Sequence, residues 1–222
     1  MKRQTLIDQT TTLDGKEILL YERDGVYTIR VDGLELMSSR AHGSEEAMAR
    51  LALDEVDAAR PRVLVGGLGM GFTLRAVLDE LQPAGRVTVA ELLPAVVRWN
   101  RDHIGHLADE PLDDPRVTLI GDDVARIIAT ASRSFDAILL DVDNGPAALT
   151  DRRNRWLYSP RGLTAARRSL AAGGILAVWS ASPDRRFERT LARAGFQVRI
   201  ETVSARAGAK GPRHTIFVAR RG

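Results

Sequence analysis

The sequence predicts an α/β protein: a mostly parallel sheet that ends in an antiparallel C-terminal hairpin, preceded by a short β meander. Three observations carry this. Short apolar stretches rich in β-branched residues recur along the chain: RVLVGG (62–67), RVTVAE (86–91), RVTLIGD (116–122), FDAILLD (135–141) and GILAVWS (174–180). Helical segments separate them, and continuous apolar strands alternating with helices indicate a parallel sheet buried on both faces. The first forty residues follow another rhythm, with alternating strands broken at Asp24-Gly25 and Asp32-Gly33, the dipeptide that most strongly signals a hairpin.

Taken in order, EILLYER (17–23), VYTIRV (26–31) and LELM (34–37) form a three-stranded meander, an appendage spanning residues 1–40. The main domain spans 41–222. Its first helix, GSEEAMARLALDEV (43–56), has Ser44 or Gly43 as cap, with Glu45 and Glu46 in the first turn, where acids face the positive end of the helix dipole. Further helices fall at 71–81, 94–104, 122–131, 160–170 and within PDRRFERTLARAGF (183–196). FQVRIETVSA (196–205) and HTIFVARR (214–221) close the sheet as a hairpin joined by the Gly-rich RAGAKGPR (206–213). The chain shows no repeat and no linker.

Composition narrows the function. The 222 residues are 44% hydrophobic and 27% charged, in the range of soluble globular proteins. The absence of cysteine removes thiolate nucleophiles, disulfides and Cys-ligated metals, and fits a reducing cytoplasm. No stretch reaches the ~18 apolar residues of a membrane span, and the basic start, MKRQTLIDQTTT, lacks the apolar core of a signal peptide. The pI of about 9.7 invites a nucleic-acid reading. However, the net charge is only +3 and 29 of the 32 basic residues are arginine, while aromatics make up 5%, too few for a stacking platform. Nucleic acid is therefore not the expected partner. An RNA methyltransferase stays among the alternatives and predicts steeply salt-dependent RNA binding.

The first parallel strand runs into Gly66-Gly67-Leu68-Gly69-Met70-Gly71. Glycines there permit a tight turn and close backbone approach to a ligand, and the following helix offers free N–H groups. Counting from Gly67 the pattern is G-x-G-x-G, with Phe72 where a dinucleotide fingerprint places its third glycine. Glu91, with Leu92 beside it, ends the second strand 20 residues after Gly71, a position from which a carboxylate takes both hydroxyls of a ribose. Asp122 and Asp123 end the third strand, placed for an adenine amino group, with Asp122 also a candidate helix cap. These features point to an adenosyl ligand without a pyrophosphate, of which S-adenosylmethionine is the obvious one.

With RVLVGGLGMGFTLRAVL, VTVAELLPAVV, DDPRVTLIGDD, FDAILLDVDNGP and LYSPRGLTAARRSLAAGGILAVWS in this order, the chain resembles the spermidine/spermine synthase family, within the Rossmann-like class I methyltransferase fold. The resemblance covers roughly residues 44–179. It implies that Glu91 holds the ribose, that Asp122 and Asp123 hold the adenine, and that Gly67, Gly69 and Gly71 form the floor under the methionine-derived part. It also implies that the meander is a truncated form of the family's N-terminal β domain, and a homodimer. Departures stand beside it. The glycine loop of the aminopropyltransferases carries an Asp for the amino group of the decarboxylated cofactor, where this chain has Gly69 or Met70. The family's Tyr-His-Glu is Ser44-Glu45-Glu46, and the loop after the fourth strand is shortened.

Asp141 and Asp143, in LLDVDNGP, meet at the end of that fourth strand, and alternation points their side chains the same way. Asp141 borders the cofactor. By resemblance Asp143 matches the catalytic aspartate, which orients a cationic amine and accepts its proton; the alternative is that 143–146 is simply a turn. The tetrapeptide lacks the aromatic that stacks a flipped nucleobase. Tyr158 and Trp156 either wall an acceptor pocket or anchor the next helix. Arg152, Arg153 and Arg155 either lie in solvent or hold an anionic group on the substrate. His42, His103, His106 and His214 do not space as a metal set.

The expected activity is a transferase moving a methyl or aminopropyl group from S-adenosylmethionine, or its decarboxylated form, to a small amine. The departures lean away from a true spermidine synthase. A rival is a non-catalytic adenosyl- or polyamine-binding protein.

Overall fold

The computed structural model describes residues 4–12, 15–142, 145–146, 154–206 and 211–222. The chain folds as two sheets. Four strands, β1 (Thr5–Thr11), β2 (Glu17–Arg23), β3 (Val26–Val31) and β4 (Leu34–Ser38), form an antiparallel meander in sequence order. The sequence predicts three strands here. The fourth, β1, is TLIDQTT, whose polar residues hide a strand from any reading based on apolar alternation.

The larger sheet has seven strands. They are β5 (Arg62–Gly66), β6 (Arg86–Ala90), β7 (Val117–Ile120), β8 (Phe135–Leu140), β9 (Leu170–Ser180), β10 (Phe196–Ser204) and β11 (Arg213–Arg221). The order is β10-β11-β9-β8-β5-β6-β7. β9, β8, β5, β6 and β7 pair in parallel, and β11 pairs antiparallel with both β9 and β10. This is the predicted α/β class with its antiparallel C-terminal hairpin.

Helices cover both faces. α1 (Gly43–Leu53), α2 (Phe72–Glu80) and α3 (Pro94–Trp99) share one core cluster with the meander, which contributes Ile18, Leu20 and Ile29. α4 (Val124–Thr130), α5 (Pro160–Ser169) and α6 (Arg185–Arg193) pack a second cluster on the other face. The helix predicted over 94–104 is α3 followed by a π-helical turn at Asn100–Ile104. In that turn the Asn100 amide donates to the carbonyls of Val96 and Gly69 (2.9 and 2.8 Å), bracing the glycine loop from behind.

The topology fixes where a ligand can sit. The chain starts the parallel sheet at β5, goes outward to β6 and β7, then returns to the opposite side of β5 as β8. The crevice beyond the C-terminal ends of β5 and β8 is thus the switch point of the sheet, the place where open α/β sheets bind ligands.

Candidate active site

β5 ends in left-handed turns that only glycine takes without strain. Gly67, Gly69 and Gly71 have φ of +87°, +52° and +86°. Space forbids a side chain as well. A Cβ on Gly67 would lie 2.8 Å from the Asp141 carbonyl oxygen, and one on Gly69 would lie 2.7 Å from Cε of Met37, a residue of β4. The meander therefore closes over the glycine loop.

Glu91 follows β6 and is buried. Its two carboxylate oxygens accept from the backbone N–H groups of Leu68 (3.0 Å) and Leu93 (2.8 Å). Burial raises its pKa, while these backbone hydrogen bonds act in the opposite direction. The N–H groups of Gly69 and Leu92 act on it as well, so the backbone fixes the aim of the carboxylate. Leu92 beside it is exposed. Beyond β7, Asp123 rather than Asp122 caps the next helix, accepting from the Ala125 N–H at 2.8 Å. Asp122 accepts from the Asp123 N–H (2.8 Å) and pairs with Arg126 (3.4 Å). The cap role that the sequence suggests for Asp122 thus falls to Asp123, the residue immediately before the first helical turn.

Asp141 lies just past β8, its N–H donating to the Gly66 carbonyl (3.1 Å) and its carboxylate accepting from Thr73 Oγ1 (2.6 Å). Burial raises its pKa. Gly145, at φ +82°, presses on Ser180 at the end of β9, which brings the loop after β8 back onto the sheet. Asp143 and Asn144, with Arg152 and Arg153, lie outside the described residues. Arg155 is exposed. Tyr158 is buried edge-on against Phe187, and its hydroxyl donates to the Val142 carbonyl (3.2 Å). It anchors the core and props the loop after β8, and its placement favours the anchor alternative.

One acidic group escapes the sequence reading of the site. Glu45, read as a first-turn acid, is buried, and its pKa is pushed up to about 7 by burial and by the nearby charge of Asp141. Ser44 is no helix cap either; His42 occupies that position. The Ser44 hydroxyl donates to Glu45 Oε2 (2.6 Å), accepts from the indole of Trp179 (3.1 Å) and sits 2.8 Å from Nδ1 of His214. The helical spacing of Ser44 and Glu45 to the core residues Met48 and Ala49 is the signal that could have placed them inward. Half-buried Asp141 and buried Glu45 act on each other as like charges, and no lysine or arginine among the described residues is paired with either.

Residues 41–189, more than half of the chain, match the family model for the spermine/spermidine synthase domain. The chain belongs to the spermine/spermidine synthase family. Among curated members, polyamine aminopropyltransferase 1 of Pseudomonas aeruginosa is 33% identical over 132 residues, covering 59% of this chain and 43% of the relative. Polyamine aminopropyltransferase of Mycobacterium tuberculosis is 30% identical over 173 residues, covering 76% of this chain and 31% of the relative. The chain thus spans less than half the length of these relatives. The fold is that of spermidine synthase from Thermotoga maritima, with a TM-score of 0.78 at 18% identity over 98% of this chain and 73% of that one. A spermidine synthase solved with the transition-state analogue AdoDATO gives 0.77, also at 18% identity. His214 lies beyond the family-matched segment, which is why the resemblance alone does not lead to it.

Proposed function

We propose that this protein transfers an aminopropyl group from decarboxylated S-adenosylmethionine to a small amine. One observation carries the reading: buried Glu45 lies beside half-buried Asp141, and no lysine or arginine among the described residues is paired with either. Two neighbouring carboxylates, one of them buried, are costly without a cation and attract an ammonium group. The decarboxylated donor ends in an ammonium alone. The intact donor adds a carboxylate, which such a pair repels. Glu45 thereby supplies the negative charge that the glycine loop lacks, and the missing loop acid ceases to favour methyl transfer. The names of the relatives support the same choice, and leave the lean away from spermidine synthesis without support.

In this reading Glu91 and Leu92 receive the ribose, and Asp122 and Asp123 receive the adenine edge. The loop of Gly67, Gly69 and Gly71 passes under the chain attached to sulfur, which Asp141 borders. The glycine cradle, which a Cβ would fill, and the Glu91 carboxylate held at the strand end both fit an adenosyl sulfonium. Such a donor supplies an electrophilic carbon and a neutral thioether leaving group. Asp143 orients the acceptor amine and takes its proton. Residues 41–222 form the transferase unit, and 1–40 an appendage that seals the glycine loop through Met37. The meander is also the surface on which a homodimer is proposed. No helix among the described residues is long and apolar enough to cross a membrane.

The test is the nucleoside product. The protein is incubated with both sulfonium donors and a pool of small amines including putrescine, then analysed by mass spectrometry. Methylthioadenosine with an aminopropylated amine is expected. S-adenosylhomocysteine would overturn the reading in favour of methyl transfer.

A further inference from the structure

We propose that Glu45, Ser44 and His214 form a proton relay that carries to solvent the proton which the carboxylates of the site take from the acceptor amine. The inference rests on the transferase reading above. It is built on an unbroken chain of contacts: Glu45 Oε2 to Ser44 Oγ at 2.6 Å, and Ser44 Oγ to His214 Nδ1 at 2.8 Å. Glu45 and Ser44 are buried, whereas His214 keeps part of its surface in solvent. The chain therefore links buried Glu45, beside Asp141, to water by titratable groups at both ends and a hydroxyl between them.

A hydroxyl has one proton to give and two lone pairs, and the Trp179 indole N–H occupies one of these lone pairs. Two arrangements satisfy what remains. With Glu45 ionised, Ser44 donates to it and accepts from an Nδ1–H imidazole. With Glu45 protonated, the carboxyl donates to Ser44, and Ser44 donates to the bare Nδ1 of the other tautomer. The Trp179 ring, edge-on to the imidazole at 4.6 Å, and its N–H hold the serine in register for both.

The balance is one proton per turnover. The carbon–nitrogen bond forms as the carbon–sulfur bond breaks, the electron pair stays on sulfur, and the amine proton passes to the carboxylates. From Glu45 a proton moves to Ser44 Oγ while the serine proton moves to Nδ1. The imidazolium then releases its Nε2 proton to water and returns to the first arrangement. Around Glu45 stand Asp141 from the end of β8 and Glu46 from its own helix, with His214 from β11 behind Ser44. Burial alone shifts the imidazole, and it shifts it downward, so the ring sheds a proton readily at neutral pH.

The experiment compares wild type, Ser44→Ala, His214→Ala and His214→Gln by nucleoside release over pH, with and without added imidazole. The relay predicts a kcat lower by about tenfold or more in all three variants at neutral pH, a smaller loss than the roughly 100- to 10,000-fold of a direct acid–base group, with KM for donor and amine unchanged. Imidazole restores His214→Ala and leaves Ser44→Ala slow. An unchanged kcat in His214→Gln, or a loss in His214→Ala that imidazole does not reverse, overturns the relay. A wild type that consumes neither donor overturns the transferase reading and removes the relay's task. A second readout separates these failures, because it needs no turnover. In nitrogen-15 NMR, Glu45→Gln is expected to move the Nδ1 resonance of His214, and not in a Ser44→Ala background. Equal shifts in both backgrounds would show that the hydroxyl does not couple the two groups.

Discussion

Glu91 shows how much a single carboxylate does here. It satisfies two backbone N–H groups at the ends of β5 and β6, and it is the group offered to a ribose. Glu91→Ala leaves those donors unpaired, at about 1–3 kcal/mol each, and is expected to lower the melting temperature measurably. Glu91→Gln keeps the shape and one acceptor, so it is expected to hold most of the stability while weakening adenosyl binding by tenfold or more, the scale of one lost polar contact in a specific pocket. Calorimetric titration with methylthioadenosine checks this; undiminished binding would remove Glu91 from the site. Gly67→Ala is expected to cost about 1–2 kcal/mol from the left-handed backbone alone, with the Asp141 carbonyl at 2.8 Å adding to it. Both the glycines and Glu91 are legible in the sequence because backbone conformation and strand ends leave local traces. Glu45 and His214 meet only through Ser44, across 170 residues of chain, and no local pattern reports that contact.

At the level of elements, the meander shares the core through Ile18, Leu20 and Ile29 and is tied to α3 by specific polar contacts. Asp8 of β1 accepts from the indole N–H of Trp99 (2.6 Å) and from Arg98 (3.0 Å) at the end of α3. Trp99 is fully buried, so Asp8→Ala strands a buried donor. It is expected to cost about 1–3 kcal/mol and to speed proteolysis within residues 1–40, with Asp8→Asn recovering part of the loss. Equal stability of Asp8→Ala and wild type would show that the meander is not anchored there. Tyr27 meets His106 edge-on, and Met37 covers Gly69. The strands of the parallel sheet were readable from unbroken β-branched runs. β1 was not, because its pairing with β2 is held by backbone bonds beneath Thr, Gln and Asp side chains, which carry no apolar period. The π-helical turn after α3 was equally hidden, since it ends the helix and no further α-helical turn follows in which a shifted period would show.

For the molecule as a whole, the acidic pair makes stability depend on pH in a stated direction. Glu45 has its folded pKa raised from 4.5 to about 7, so the folded state holds a proton that the unfolded state has already lost between those values. Stability therefore falls as pH rises from about 4.5 through about 7, and the penalty is complete above that. His214, lowered by burial, acts oppositely: its penalty appears as pH falls below its ordinary value near 6.5. Glu45→Gln is expected to flatten the decline between pH 5 and 8 and to raise the melting temperature at pH 8 by about 5 °C, a shift of one to two kcal/mol for a chain of this size. An unaltered pH profile would mean that Glu45 is not held protonated.

A protein that keeps such a pair despite its cost invites a cationic ligand to relieve it. The most direct measurement is calorimetric binding of decarboxylated and intact S-adenosylmethionine to the wild type and to Glu45→Gln at pH 8. The account predicts that the wild type binds the decarboxylated donor at least tenfold more tightly, and that the ratio shrinks in Glu45→Gln. Equal or tighter binding of the intact donor by the wild type would contradict it.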